Sequence, residues 1–270
     1  MTAALAIRPA ATPFDAEPRF AAAGLGFALS LAVTLAAAAI DPRLFQGDNI
    51  WLKPIKFQIA LTIFFLTLAF FARWLPAGMT ERRAWRVFAS LVVAATVAEM
   101  TWIAGAAMAG TASHFNQETP LAANLYRLMG GLAVFFTSAT LVMGVAIWRD
   151  RASPLPPALR LAVGLGLVLT FALTLPTAGT LSQMPGHFVG TPVTGAALPV
   201  FGWSREVGDL RTAHFLATHA MHFLPLAGLA AVLALPGRLA KPAVWLAATG
   251  YVALVAWAFT TALAGLPLIA

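Results

Sequence analysis

Gly208-Asp-Leu-Arg-Thr-Ala-His-Phe-Leu-Ala-Thr-His-Ala-Met-His222 opens an apolar segment that continues through Pro225 to about residue 235. Asp209 is a natural N-cap, because its carboxylate can accept the unpaired N–H groups of a helix start. Three of the five histidines of the chain lie in this stretch: His214, His219 and His222. At 100° per residue their imidazoles fall within an arc of roughly 140°. They descend from near one membrane surface to about the bilayer centre. The segment is long enough to cross a bilayer and carries ionisable groups on one side. It therefore predicts a membrane-spanning helix with a polar face.

Composition extends this reading to the whole chain. Hydrophobic residues make up 60% of it and charged residues 10%, where a soluble domain carries about a quarter charged residues. Such a chain needs lipid as its solvent. The formal charge of +7 does not imply nucleic acid, because Lys and Arg sit in connections and at segment ends, as orientation signals and lipid-phosphate contacts. There is no phosphate-binding glycine loop, Rossmann fingerprint or DNA-binding element. Cysteine is absent, which excludes disulfides, thiolate catalysis, Cys-ligated zinc and iron–sulfur clusters. Any metal must be held by His, Asp, Glu or backbone oxygen.

Seven hydrophobic segments follow one another, at about 20–40, 57–76, 84–108, 121–148, 158–178, 210–235 and 242–267. Each can cross the roughly 30 Å hydrocarbon core as a helix. The expected architecture is all-α: a short cytoplasmic tail, 1–19, and a single seven-helix domain, 20–270. Residues 20–40 have a signal-peptide flavour, with Ala36–Ala39 as a small-residue stretch. The apolar run is long and its flank carries both signs of charge, which favours an uncleaved first span. Eleven Lys/Arg lie with the amino terminus and the second, fourth and sixth connections, against six on the other side. The bias predicts N-in, C-out, in a bacterial inner membrane.

The connections on the two sides differ. Those expected inside are short and basic, such as Thr80-Glu-Arg-Arg83. The extracytoplasmic 179–209 connection is long and rich in Gly and Pro, and such loops are functional or disordered. Its Phe188, Val200, Phe201 and Trp203 predict a lid packed over the helix ends. A faint repeat joins Ala104-Gly…His114-Phe115 with Ala178-Gly…His187-Phe188, placing His114 and His187 at equivalent positions of two helical hairpins.

Ionisable groups inside spans are costly and tend to be functional. Glu99 lies roughly 10–15 Å deep in the third segment, and His219 lies at a similar depth in the sixth. Arg127, Lys56, Gln58 and His214 enter from the same side. Three readings compete. One is a metal ion (Zn, Cu or Fe) on His214, His219 and His222, with Glu99 or His114 completing the set. The spacing matches no zinc signature. The second is non-covalent haem b on two imidazoles, with Lys53, Arg127 or Arg211 pairing with propionates. The third is a proton or ion path through Glu99 and the histidines. Against all three stands plain helix–helix hydrogen bonding, or a solvated kink where Pro225 frees a carbonyl. For Glu99, a buried ion pair with Arg127 is the structural alternative to a functional role. Trp51-Leu-Lys-Pro-Ile-Lys-Phe57 reads first as an interfacial anchor and second as an anion clamp made by Lys53 and Lys56. The phenylalanine pairs 64–65, 70–71 and 135–136 read as lipid-facing or helix-packing surface.

Ser113-His-Phe-Asn116, Gly202-Trp-Ser-Arg205 and Gly208-Asp-Leu-Arg-Thr-Ala-His-Phe215 resemble an uncharacterised group of bacterial multi-pass membrane proteins. That resemblance covers most of the span pattern and brings no activity with it. Seven helices with a histidine cluster are also similar to alkaline ceramidases and progestin-receptor-like zinc hydrolases. Those place a His-x-x-x-His pair in the last helix; the last segment here, 242–267, has no histidine, so none of their residues carries over. The leading expectation is an outward-opening site lined by His and Glu. It would hold a metal or haem for redox or metal-assisted chemistry on a small or lipid-like molecule. Glu99 and Arg127 would sit at the reacting centre. The alternatives are an ion- or proton-coupled transporter or channel, and a structural subunit of a membrane complex.

Overall fold

The computed structural model describes residues 12–270. Arg8 and most of the expected 1–19 tail therefore lie outside the described residues. The elements run α1 (Pro13–Ala16), α2 (Pro18–Ile40), β1 (Leu44–Phe45), β2 (Asp48–Asn49), α3 (Leu52–Ala72), α4 (Arg83–Met108), α5 (Pro120–Arg149) and α6 (Pro157–Gln183). They continue with β3 (Phe188–Val189), β4 (Gly208–Asp209), α7 (Leu210–Ala234) and α8 (Gly237–Leu263). The seven helices α2–α8 are each long and apolar enough to cross a membrane. Helices are the form that satisfies every backbone group within one segment when no water is present.

Prolines set several boundaries. Pro18 and Pro157 occupy the first helical turn, where a missing N–H costs nothing. The second and the last spans differ most from their sequence expectations, of 57–76 and 242–267, each starting five residues and ending four residues earlier; the second shows why. It begins at Leu52 because Pro54 falls in the first turn, where its N–H would have no partner anyway. It stops at Ala72, short of Pro76, since the residue before a proline is biased away from helix. Lys53 and Lys56 are thus inside the helix rather than outside it. The fifth span runs on through Pro176 to Gln183, so the long connection begins at residue 184.

The chain divides into two compact units, one ending at Ala139 and the other Thr140–Ala270, with the boundary inside α5. In the first, α2 lies along α3, and α4 touches both. Phe65 is the hub: its ring centroid lies 5.6 Å from Phe20 and 5.9 Å from Phe27. Phe64–Phe136 and Phe88–Phe135 are packed ring pairs, so these phenylalanines join helices. At one end of this unit Glu17 is fully buried, taking hydrogen bonds from Arg19 (2.9 Å) and from Trp85 Nε1. At the other, β1 and β2 form a small antiparallel hairpin. It turns through Gln46 and Gly47, both with positive φ, as two-residue hairpin turns require. Asp41 there is paired with Arg43 at 2.8 Å and takes a bond from Trp51 Nε1. Chiefly through the Arg43 guanidinium, its carboxyl is held well below the usual range, and Arg43 is raised in turn.

The second unit packs α6, α7 and α8 around Ala162, Leu165, Leu224 and Val244. Small residues let backbones approach. A Cβ on Gly166 would meet Ala220 O and Pro225 Cδ, both at 2.9 Å, so the α6–α7 crossing sits at the proline of α7. Thr170 fastens it: its hydroxyl donates to Gly166 O and accepts from Met221 N at 2.8 Å. Tyr251 on α8 donates to Leu216 O of α7 at 2.6 Å.

Candidate functional site

The start of α7 is built by a short-range knot. Strands β3 and β4 pair antiparallel, Phe188 opposite Asp209 and Val189 opposite Gly208. Gly208 is obligatory by space, because a Cβ there would lie 2.0 Å from Ala262 O of α8. Asp209 caps α7 as its sequence predicts, accepting from Arg211 N at 3.0 Å. Its carboxylate also takes the Ser204 N–H at 3.1 Å and the Arg211 guanidinium at 2.6 Å. Arg211 donates onward to Gly202 O at 2.6 Å and lies over the Phe188 ring. The side chain expected to hold a cofactor propionate is therefore committed to the carboxylate two residues back and to a loop carbonyl.

The long connection is ordered around a second carboxylate. Glu206 accepts from the Thr194 hydroxyl at 2.5 Å and from the backbone N–H groups of Val193, Thr194 and Ala196. These bonds, the Thr194 hydroxyl first, lower its pKa to about 2. Part of the expected lid is real. Phe201 and Trp203 stack at 4.6 Å, and both rings meet Phe215 of α7, at 5.5 and 5.3 Å. Val200 is 91% exposed and takes no part.

Beneath this aromatic wall lie the imidazoles. His219 stacks on Phe215 with ring centroids 3.9 Å apart. Its Nδ1 is 2.7 Å from Phe215 O one turn back. A carbonyl only accepts, so Nδ1 carries the proton and Nε2 keeps its lone pair. Among the described residues no hydrogen bond or ion pair engages that Nε2. The His222 ring is 5.2 Å from that of His219. His214 is partly buried, with Nδ1 shut away from any hydrogen-bond partner. Among the described residues no three His, Asp or Glu side chains come together in a group able to hold a metal ion. The three-imidazole site expected from the spacing is thus not ready-made. Spacing along one helix aligns Cα positions, while the bond to Phe215 O turns the His219 ring along its own helix.

The remaining expected residues belong to the first unit. Glu99 is 6% exposed, and its Oε2 has no hydrogen-bond partner. The Glu99–Arg127 ion pair is not formed. Arg127 is exposed and donates to Asn124 Oδ1 at 2.6 Å, three residues back on its own helix. Lys56 is exposed, while Lys53 is partly buried near His114. His114 is wedged between Phe57 and Tyr126, ring centroids 5.4 and 5.9 Å away, with Ser113 Oγ 3.1 Å from its Nδ1. Burial, and secondarily the Lys53 charge, push its pKa down to about 3. Asn116 donates to Ala112 O and accepts from Glu118 N. Ser113-His-Phe-Asn116 is therefore a folded connector between α4 and α5, with Phe115 at positive φ.

Sequence reasoning passed over Glu17, Tyr251 and Glu206. A pattern that exposes the first was present. Glu17-Pro-Arg19, Asp41-Pro-Arg43 and Asp209-Leu-Arg211 each place a carboxylate two residues before an arginine at a helix boundary, and each forms an ion pair. No family model, curated protein or solved structure matches the chain.

Proposed function

We propose that this multi-pass protein sits N-in, C-out in a bacterial inner membrane and binds a redox cofactor through α7, with His219 as the ligand and haem b as the cofactor. The orientation rests on the eleven-to-six division of Lys and Arg. The observation that carries the cofactor reading is the fixed tautomer of His219: Nδ1–H held by Phe215 O at 2.7 Å, Nε2 left as the donor atom. Ligating histidines are oriented in this way by a bond from their other ring nitrogen. Ligand count then chooses the group. A bare ion needs three or four protein ligands, and no such set is gathered among the described residues. A porphyrin brings its own four nitrogens and asks the protein for one or two.

Bound there, haem would supply one-electron chemistry at its iron. The chain's own contribution is orientation and shielding. Phe215 fixes the imidazole plane by stacking over one face of the ring, and Phe201 and Trp203 pack against Phe215. Arg211, spent on Asp209 and Gly202, holds the wall in place rather than the cofactor.

The test is an absorption spectrum of protein purified from cells supplied with a haem precursor. The expected result is a Soret band that His219→Leu removes and His214→Leu retains. A colourless protein, or a band that survives His219→Leu, overturns the assignment. A second reading, ion or proton transport, rests on Glu99, whose Oε2 is buried without a partner. It predicts that Glu99→Gln abolishes flux in liposomes that hold a colourless protein.

A further inference from the structure

A cleft of about 730 Å³ runs along the first unit between α2 and α4 with α3 as its floor. Arg19 lies at one end; Gly26 and Ser30 of α2, Gln58 of α3, and Val97 and Ala104 of α4 line its length. From Ser90 to Ala104 the α4 wall covers roughly 21 Å. That exceeds the roughly 15 Å of one leaflet of the hydrocarbon core. The lining is mostly apolar, with one buried amide in it. Gln58 is 4% exposed, and its Nε2 lies 2.9 Å from Ser30 Oγ. The Ser30 hydrogen is spent on Phe27 O at 2.9 Å, so Ser30 accepts from Gln58, and this fixes which way the amide faces. Gln58 Oε1 is then an acceptor with no partner, shielded from solvent.

A buried acceptor left empty is costly, and lipid tails carry no donor to fill it. Ser30 stands twelve residues past Pro18, roughly 18 Å along the helix, so the missing donor is needed deep in the slab. An ionised group is disfavoured at that depth. The cation at the mouth, Arg19, is already paired with Glu17 at 2.9 Å, so no anionic head is called for. The volume is that of a small ligand site. Space has also been left free: a Cβ on Gly26 would meet nothing within 4 Å, whereas one on Gly24, two residues away, would strike Leu66 at 2.9 Å.

We propose that this cleft binds an uncharged, single-chain lipid bearing a hydroxyl group, which donates to Gln58 Oε1 while the chain lies along Gly26 between α2 and α4. The proposal is independent of the cofactor reading, which concerns the other unit.

The test is photolabelling of the full chain in phosphatidylcholine nanodiscs. The probes are a diazirine-bearing hexadecanol, its O-methyl ether and the matching hexadecanoate, with labelled peptides mapped by mass spectrometry. The alcohol is expected to label Ser90–Ala104 roughly 3- to 10-fold more than the ether, the worth of one hydrogen bond. Gln58→Leu should bring the alcohol down to the ether's level. Gly26→Leu, which enters open space, should deplete labelling by both, and Gly130→Leu, with nothing near it either, should change nothing. Equal labelling by alcohol and ether, full alcohol labelling in Gln58→Leu, or stronger labelling by the hexadecanoate overturns the proposal. If Gln58→Leu does not fold, unchanged labelling in Gly26→Leu overturns it equally.

Discussion

Asp209 and Arg211 grip one another across a single residue, Nη2 to Oδ2 at 2.6 Å and Nε to Oδ1 at 2.9 Å. The same carboxylate caps α7 and holds Ser204 N, and the same guanidinium holds Gly202 O. Two side chains thus bind the long connection to the helix that carries the imidazoles.

Asp209 is 1% exposed. Removing it strands a guanidinium and a loop N–H together. Asp209→Ala is expected to cost about 3 kcal/mol. Arg211→Lys should cost about 1–2 kcal/mol, because an ammonium cannot serve the carboxylate and the Gly202 carbonyl in one plane. Thermal unfolding in detergent measures both, and protease nicking within 190–205 should rise with the loss. An Asp209→Ala protein as heat-resistant as the parent would contradict this account of the knot.

Space, not conformational freedom, makes Gly208 necessary. Gly208→Ala drives a methyl group to 2.0 Å from Ala262 O and should destabilise by about 3 kcal/mol or more. Gly250→Ala, on an exposed turn of α8 with nothing within 4 Å, should instead stabilise by about 0.5–1 kcal/mol through helix propensity. The two melting temperatures should move in opposite directions.

His114 makes stability pH-dependent. Its folded pKa is depressed to about 3 from 6.5, so between these values the unfolded chain binds the proton and the folded chain does not. Stability contributed by the neutral ring is complete above pH 6.5. It is lost as pH falls toward 3, with a slope of at most about 1.4 kcal/mol per pH unit. His114→Asn should flatten that part of the unfolding profile, and Lys53→Met, by removing the repulsion that adds to the depression, should end the loss at a higher pH. Glu206, lowered to about 2 from 4.5, adds a second loss only below pH 4.5. A steep slope between pH 6.5 and 5 that persists in His114→Asn would assign it to another group.

Local signals were legible in the residues. The Asp209 cap, the proline-started helices and the seven apolar runs all depend on neighbours within a few positions. Boundaries moved where a proline could be accommodated in a first turn, as at Pro54. The targets of the polar side chains were not legible. Arg127 turned to Asn124 and Arg211 to Asp209, neither of them to a shared centre. Each chose a partner by side-chain direction, which hydropathy does not encode.

The amino-acid order alone therefore settled that this chain forms seven helices long and apolar enough to cross a membrane, because in hydrocarbon a backbone has to satisfy itself within each segment. Tertiary structure decided which side of each helix faces protein. These helices are apolar nearly all round, so no hydrophobic face announces its rotation. The orphaned oxygen of Gln58 and the cleft along Gly26 exist only once α2, α3 and α4 have packed, and the bond from Met221 N to Thr170 only once α6 and α7 have.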